Sequence, residues 1–240
     1  MPRRPVLKPA VWSVPAFRDT VKAFELAAEL ATGRRPLSLI TAPAGSGKTF
    51  TAEWYCEQHR DARLAVCPPR ELLSARSLLE AISRAISYPE SHWRVAALFD
   101  NLAGALSLRH TFLILDEADR LTAGCADMLR ELADNSDIAL CFLGCPGTLS
   151  VLARVPATHH RVGFSHSIPP VALADVQSIY GDRYDEATLA EIYEVTGGNL
   201  RHLEAIPPLL DKVRRGGEPV PATPKLVRTI AQRFLLRGAA

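Results

Sequence analysis

The sequence predicts an α/β protein, a parallel sheet flanked by helices, followed by a smaller all-helical domain. Three observations predict it. Four short apolar runs alternate with segments of helical spacing, the pattern of successive strand–helix units. The first run opens into a glycine-rich turn that leads a helix. After Pro169-Pro170 the apolar runs stop and only helical spacing continues.

Residues 1–16, rich in Pro and Arg, read as an extended arm. From Phe17 to Ala31, Val21, Phe24, Leu26, Ala27 and Leu30 recur at helical spacing, with Asp19 or Thr20 as the cap. Pro36–Ala42 is a buried strand and 47–59 its helix. Arg63–Cys67 is a second strand, stopped by Pro68-Pro69, and helical stretches follow over 70–87 and 92–107. Thr111–Asp116 is the third strand, 122–135 a helix, and Ile138–Gly144 the fourth strand. Beyond them 173–181, 185–195, 199–214 and 222–236 are helical without a strand. The expected organisation is an α/β core over 17–168 and a helical lid over 169–240.

Composition excludes several classes. Hydrophobic residues at 48% and charged residues at 22% exclude a disordered chain. No apolar run approaches the roughly 18 residues a membrane span needs. The start, Met1-Pro-Arg-Arg-Pro-Val, has no apolar stretch behind it, so no secretory signal is expected and the expected location is cytoplasmic. The 5 cysteines form no CxxC pair, which indicates neither a disulfide framework nor zinc. Net charge is only +2, but residues 1–35 carry 7 basic against 3 acidic groups, 201–240 carry 8 against 3, and 100–200 carry 6 against 14. Two readings of this polarity stand: an anionic partner at one face, or solvated arginines from a coding bias.

Two motifs carry chemistry. Ala42-Pro-Ala-Gly-Ser-Gly-Lys-Thr49 lies between the first strand and its helix, with Ala42 in place of the usual first Gly. It is a phosphate-binding P-loop. Gly45 and Gly47 let successive N–H groups curl toward phosphate oxygens, and the helix N-terminus adds partial positive charge. Pro43, Ala44, Gly45, Ser46, Gly47, Lys48, Thr49 and Phe50 form the expected nucleotide contact, with Lys48 on the β- and γ-phosphates and Thr49 on Mg²⁺. Phe112-Leu-Ile-Leu-Asp-Glu-Ala-Asp119 is the second motif. Its buried strand presents Asp116 as the other Mg²⁺ ligand and Glu117 as the base that orients water. Asp119 reads as a solvated cap. Together they specify a nucleotide hydrolase and not merely a binder.

These motifs, the strand ending Phe-Leu-Gly-Cys-Pro-Gly, and Gly197-Gly-Asn-Leu-Arg201 resemble the AAA+ ATPases. Within that superfamily the chain is most similar to transposition regulators of the MuB, TnsC and TniB type. The resemblance implies sensor 1 at Cys145, where a Thr, Asn or Ser is usual, and a thiol is a poor donor there. It implies an arginine finger at Arg161, with Arg154 as alternate, reaching a neighbouring subunit's nucleotide. It also implies sensor 2 at Arg201, which touches nucleotide.

For partners, the resemblance implies double-stranded DNA held through its backbone with little sequence preference, a transposase with or without an adaptor, and a homo-oligomeric ring or filament. Arg70, Arg76, Arg84 and Arg94 are the candidate DNA contacts. Interleaved with Glu71, Glu80 and Glu90, they read equally as a helix surface of i,i+4 pairs. MuB relatives carry an extra DNA-binding domain ahead of the ATPase, and none is expected here. The competing readings are a secretion ATPase or replication initiator on the same core, a small-molecule kinase, and a nucleotide-stabilised scaffold with weak turnover.

Overall fold

A computed structural model describes residues 15–30, 36–89, 94–109, 111–215 and 218–234. Of the arm expected over 1–16, residues 1–14 lie outside them, as does Glu90, and residues 15 and 16 are the first of a helix and not part of an extended arm. Two compact units result: residues 20–43 with 48–168, and, among described residues, 15–19 and 44–47 with 169–234.

The first unit carries five parallel strands: β1 (Leu37–Thr41), β2 (Ala62–Val66), β3 (Phe112–Asp116), β4 (Ala139–Gly144) and β5 (Val162–Ser167). Their spatial order is β2-β3-β4-β1-β5. Strands β1 and β3 are buried at every position, and β4 at all but its first. This is why their sequences are continuous apolar runs, as expected where helices cover both faces. The core gathers Leu37, Leu39, Leu113, Leu115, Leu140 and Phe142 against Leu78, Ile82, Leu102 and Leu129.

Those last four lie on the covering helices. After β1 comes α2 (Lys48–Gln58); after β2 come α3 (Ala75–Ala85) and α4 (Val95–Ser107); after β3 comes α5 (Ala123–Ser136). Short α6 (Thr148–Leu152) and α7 (Pro156–Arg161) lead from β4 to β5. The opening helix α1 (Pro15–Leu30) begins at Pro15, so Asp19 and Thr20 are helical residues and not its cap. Thr20 is buried, and Pro fits a first helical turn, where its missing N–H is not needed.

Three further differences from the sequence reading have local causes. The stretch from residue 70 is not one helix. Arg70–Leu72 form a 3-10 turn, and α3 starts only after Ser74, whose hydroxyl accepts from Ser77 N while Ser77 Oγ accepts from Ser74 N. Strand β5 was not foreseen because it is an edge strand with every second residue exposed, not an apolar run. The second unit is not purely helical. Between α10 (Leu200–Asp211) and α11 (Pro224–Phe234), Arg214–Arg215 (β6) pair antiparallel with Glu218–Pro219 (β7).

The rest of that unit is α8 (Leu173–Tyr180) and α9 (Glu186–Thr196). Asp185 caps α9 through Thr188 N, and Gly197 ends it in left-handed backbone (φ 57°). Helix α11 buries Val227, Ile230 and Ala231, and its Arg228 holds the buried Glu191 of α9 at 2.6 Å.

Candidate nucleotide site

Parallel strands end on one edge of their sheet, and ligands of open α/β sheets bind outside those ends. Here the C-terminal ends of β1, β4 and β3 lie side by side. Ala42 N donates to Gly144 O at 3.1 Å, so the P-loop leaves β1 directly beside the end of β4.

Thr49, in the first turn of α2, donates through Oγ1 to Asp116 Oδ2 at 2.5 Å across 67 residues of sequence. Asp116 is 2% exposed, and its second oxygen accepts from Glu117 N at 2.8 Å. A hydroxyl and a carboxylate are hard oxygen donors of the kind Mg²⁺ takes. Among the described residues no group of three His, Cys, Asp or Glu could hold a metal. Mg²⁺ bound with a nucleotide needs no such cage, because phosphates complete its shell.

Lys48 Nζ donates to Ala42 O at 2.8 Å and to Pro43 O at 2.9 Å. An ammonium has three donors, so one remains for an anion. Gly45 and Gly47 take φ of +77° and +87°. A Cβ on Gly45 would also stand 2.2 Å from Asn199 Oδ1, so a side chain there is excluded twice over. Ser46 Oγ is buried with no partner among the described residues, an orphaned donor that a phosphate oxygen would satisfy.

Within the second unit the Gly-Gly-Asn-Leu-Arg segment meets the P-loop residues of that unit. Leu200 N donates to Gly45 O at 2.8 Å and Asn199 Nδ2 to Ala44 O at 3.3 Å. Asn199 Oδ1 accepts from Arg201 N and His202 N, capping α10. Sequence reasoning had singled out Arg201, which is exposed in the first turn. It missed Asn199, although Asn ahead of a helix is a legible cap signal.

Glu117 adopts left-handed backbone (φ 57°, ψ 35°) and opens a 3-10 turn over Ala118–Arg120. Asp119 is not the solvated cap expected of it. It is half-buried, and its Oδ1 accepts from Cys145 N at 3.2 Å, so it fixes the end of β4 to the end of β3. Cys145 is half-buried, with its carbonyl accepting from Thr148 Oγ1 at 2.8 Å. Burial pushes the Cys67 and Cys141 thiols up to about 12, so neither is a nucleophile at neutral pH.

Arg161 lies elsewhere. It ends α7 immediately before β5, whose Val162 is in register with Leu37. It is thus at the N-terminal edge of the sheet, opposite the strand ends that the P-loop follows. There it pairs with Asp134 at 3.3 Å, and Asp134 also takes Arg130 at 3.1 Å. Arg154 is exposed.

The arginines after β2 are not one array. Arg70 sits in the 3-10 turn and donates to Asp119 O at 2.9 Å. Arg76 pairs with Glu80 at 2.6 Å, and Arg84 lies about two turns beyond Arg76 on the same helix, exposed like it. Arg94 is exposed just before α4.

The family model described as "AAA domain" matches residues 31–152, which spans the P-loop, Asp116, Glu117 and Cys145. The chain belongs to the AAA domain family. This AAA domain is 25% identical over 114 residues to a potential ATP-binding protein of Staphylococcus aureus, covering 42% of each chain. It is 25% identical over 203 residues to the Mu-like prophage FluMu DNA transposition protein B of Haemophilus influenzae, covering 79% of this chain and 70% of that protein. Its fold is that of the Aeropyrum pernix ORC2 protein in its ADPNP–ADP complexes, with TM-score 0.62 and 15% identity over 90% of this chain. The A. pernix ORC1 protein in complex with DNA gives TM-score 0.63 and 16% identity over 95% of this chain. This AAA domain spans 66% of the length of either solved chain. No helix among the described residues is long and apolar enough to cross a membrane.

Proposed function

We propose that this AAA domain is an ATP-dependent DNA-binding regulator of DNA transposition. It assembles on target duplex DNA as a ring or filament, recruits or activates a transposase, and leaves on ATP hydrolysis. The observation that carries the reading is the Thr49–Asp116 pair with Glu117 beside it, in a chain similar over 79% of its length to a DNA transposition protein.

The chain's residues divide the work. Backbone N–H groups around Gly45 and Gly47 and the remaining Lys48 proton bind phosphate. Thr49 and Asp116 hold Mg²⁺, which supplies Lewis-acid polarisation of phosphate oxygens when bound. Glu117 takes the proton of the attacking water. Arg201 senses the nucleotide from the start of α10. Arg161, at the sheet edge opposite its own P-loop, acts on a neighbouring copy, and this couples nucleotide to assembly. Arg70, Arg76, Arg84 and Arg94 contact DNA phosphates, with Arg76 exchanging Glu80 for phosphate.

A second reading, a nucleotide-stabilised scaffold with weak turnover, is favoured by Cys145, a weak donor where a polar sensor is usual. It differs from the first in rate alone.

Duplex binding measured with and without ATP tests the proposal. Binding is expected to require ATP or a slowly hydrolysed analogue, to be alike for unrelated sequences, and to fall linearly in log[salt]. Absence of duplex binding with ATP present contradicts it.

A further inference from the structure

Helix α11 contains no acidic residue, and its three cations share one face. Lys225, Arg228, Gln232 and Arg233 recur there at helical spacing, all exposed, over about 12 Å of helix. Val227, Ile230 and Ala231 lie opposite, buried where α11 packs on α9 and α10.

The middle cation is held from beneath. The Glu191 side chain of α9 is only 6% exposed, and a carboxylate so buried needs a pair. Arg228, 62% exposed, supplies it through Nε at 2.6 Å. Its two Nη groups have no partner among the described residues. The exposed Glu194 adds its charge but takes no nitrogen of Arg228. Lys225 and Arg233 have no ion pair among the described residues, and Arg233 lies over the Phe234 ring at 6.0 Å. After β2, by contrast, Arg70 already holds Asp119 O and Arg76 already holds Glu80.

We infer that the exposed face of α11 is a second contact for DNA phosphates, in which Glu191 positions Arg228 as a fixed fork between Lys225 and Arg233. A guanidinium can do both jobs at once, because its Nε and Nη groups are separate donors in one rigid plane. A bilayer would need an apolar face, and that of α11 is buried in its own unit. Protein interface cores are depleted in Lys. Backbone phosphates ask only for cations and amide donors in a row. This rests on the reading that duplex DNA is the partner.

The test is duplex affinity of the full chain with a slowly hydrolysed ATP analogue, measured across a salt titration. Lys225→Ala with Arg233→Ala is expected to lower the slope of log K on log[salt] by about two. The loss should be alike for unrelated sequences, with nucleotide binding intact. Arg228→Lys is the sharper variant. Its single nitrogen stays on Glu191, so the buried carboxylate remains paired while the phosphate contact is lost. The slope should fall by about one although net charge is unchanged. Wild-type affinity and slope in Arg228→Lys overturn the fork, and an unchanged slope in the double variant overturns the α11 contact. If the double variant instead loses binding to phosphatidylserine vesicles with its duplex slope unmoved, the face is a membrane contact and the inference falls. No duplex binding by the wild type contradicts the DNA reading itself. Unchanged variants beside a binding wild type contradict the α11 contact alone, so the two fail separately.

Discussion

The C-terminal edge of the sheet and the arginine segment after β2 look alike in sequence, each a short run of polar residues after an apolar strand. They differ in how their side chains are held. Thr49 meets Asp116 across 67 residues and Asp119 meets Cys145 across 26, contacts that exist only because β1, β4 and β3 are neighbours. Arg76 meets Glu80 four residues on, within one helix. A long-range pair of defined chemistry constrains both residue types and points to a ligand. A local pair is satisfied by any helix surface, so the arginines need a partner experiment and the P-loop edge needs a mechanistic one.

The largest effects are expected at the P-loop edge. Lys48→Ala removes the ammonium from phosphate and should abolish measurable ATP binding, and with it assembly on DNA. Glu117→Gln removes the proposed base but leaves Asp116 and Thr49 in place. Turnover should fall by about 10²–10⁴ while nucleotide affinity stays and the DNA-bound state outlives that of the wild type. Fluorescent-nucleotide titration and phosphate release separate the two variants. Identical behaviour in both assays breaks the division of roles.

A smaller effect is expected at the link between β3 and β4. Asp119→Ala leaves the Cys145 N–H without its acceptor and should cost about 1–2 kcal/mol, a fall in Tm of several degrees. Asp119→Asn keeps an acceptor oxygen and should restore most of it. Thermal melts of the pair sharpen the comparison, and equal Tm in Asp119→Ala and wild type would remove Asp119 from the long-range class.

The smallest effect per residue is expected in the arginine segment. Arg76→Ala with Arg84→Ala should weaken duplex binding equally for unrelated sequences and lower the salt slope by about one per lost phosphate contact. ATP binding should survive. A double variant with unchanged affinity across a salt titration leaves these two as local helix pairs.

The same contrast explains what was legible in the sequence. The central strands were readable because burial on both faces makes them continuous apolar runs, and the P-loop because its glycines sit at φ of +77° and +87°, where other residues are strained. Strand β5 was hidden because an edge strand half-buries only alternate residues, here Val162, Phe164 and His166; the period-2 pattern was its one signal. The break at Ser74 was announced by the Ser-x-x-Ser cap but outweighed by helical spacing on both sides. Asp119 and Arg120 could not be read at all. Their partners, Cys145 N and Cys67 O, are backbone atoms brought near by strand order, and backbone atoms leave no mark on residue type.

Electron microscopy of the full chain with duplex DNA, with and without a slowly hydrolysed ATP analogue, tests the central claim most directly. If nucleotide bound at Lys48, Thr49 and Asp116 is completed by Arg161 of a neighbouring copy, monomers or small species should give way to rings or filaments on DNA only when the analogue is present. Arg161→Ala should leave analogue binding intact and abolish the assemblies. The same particles with and without nucleotide would contradict the account.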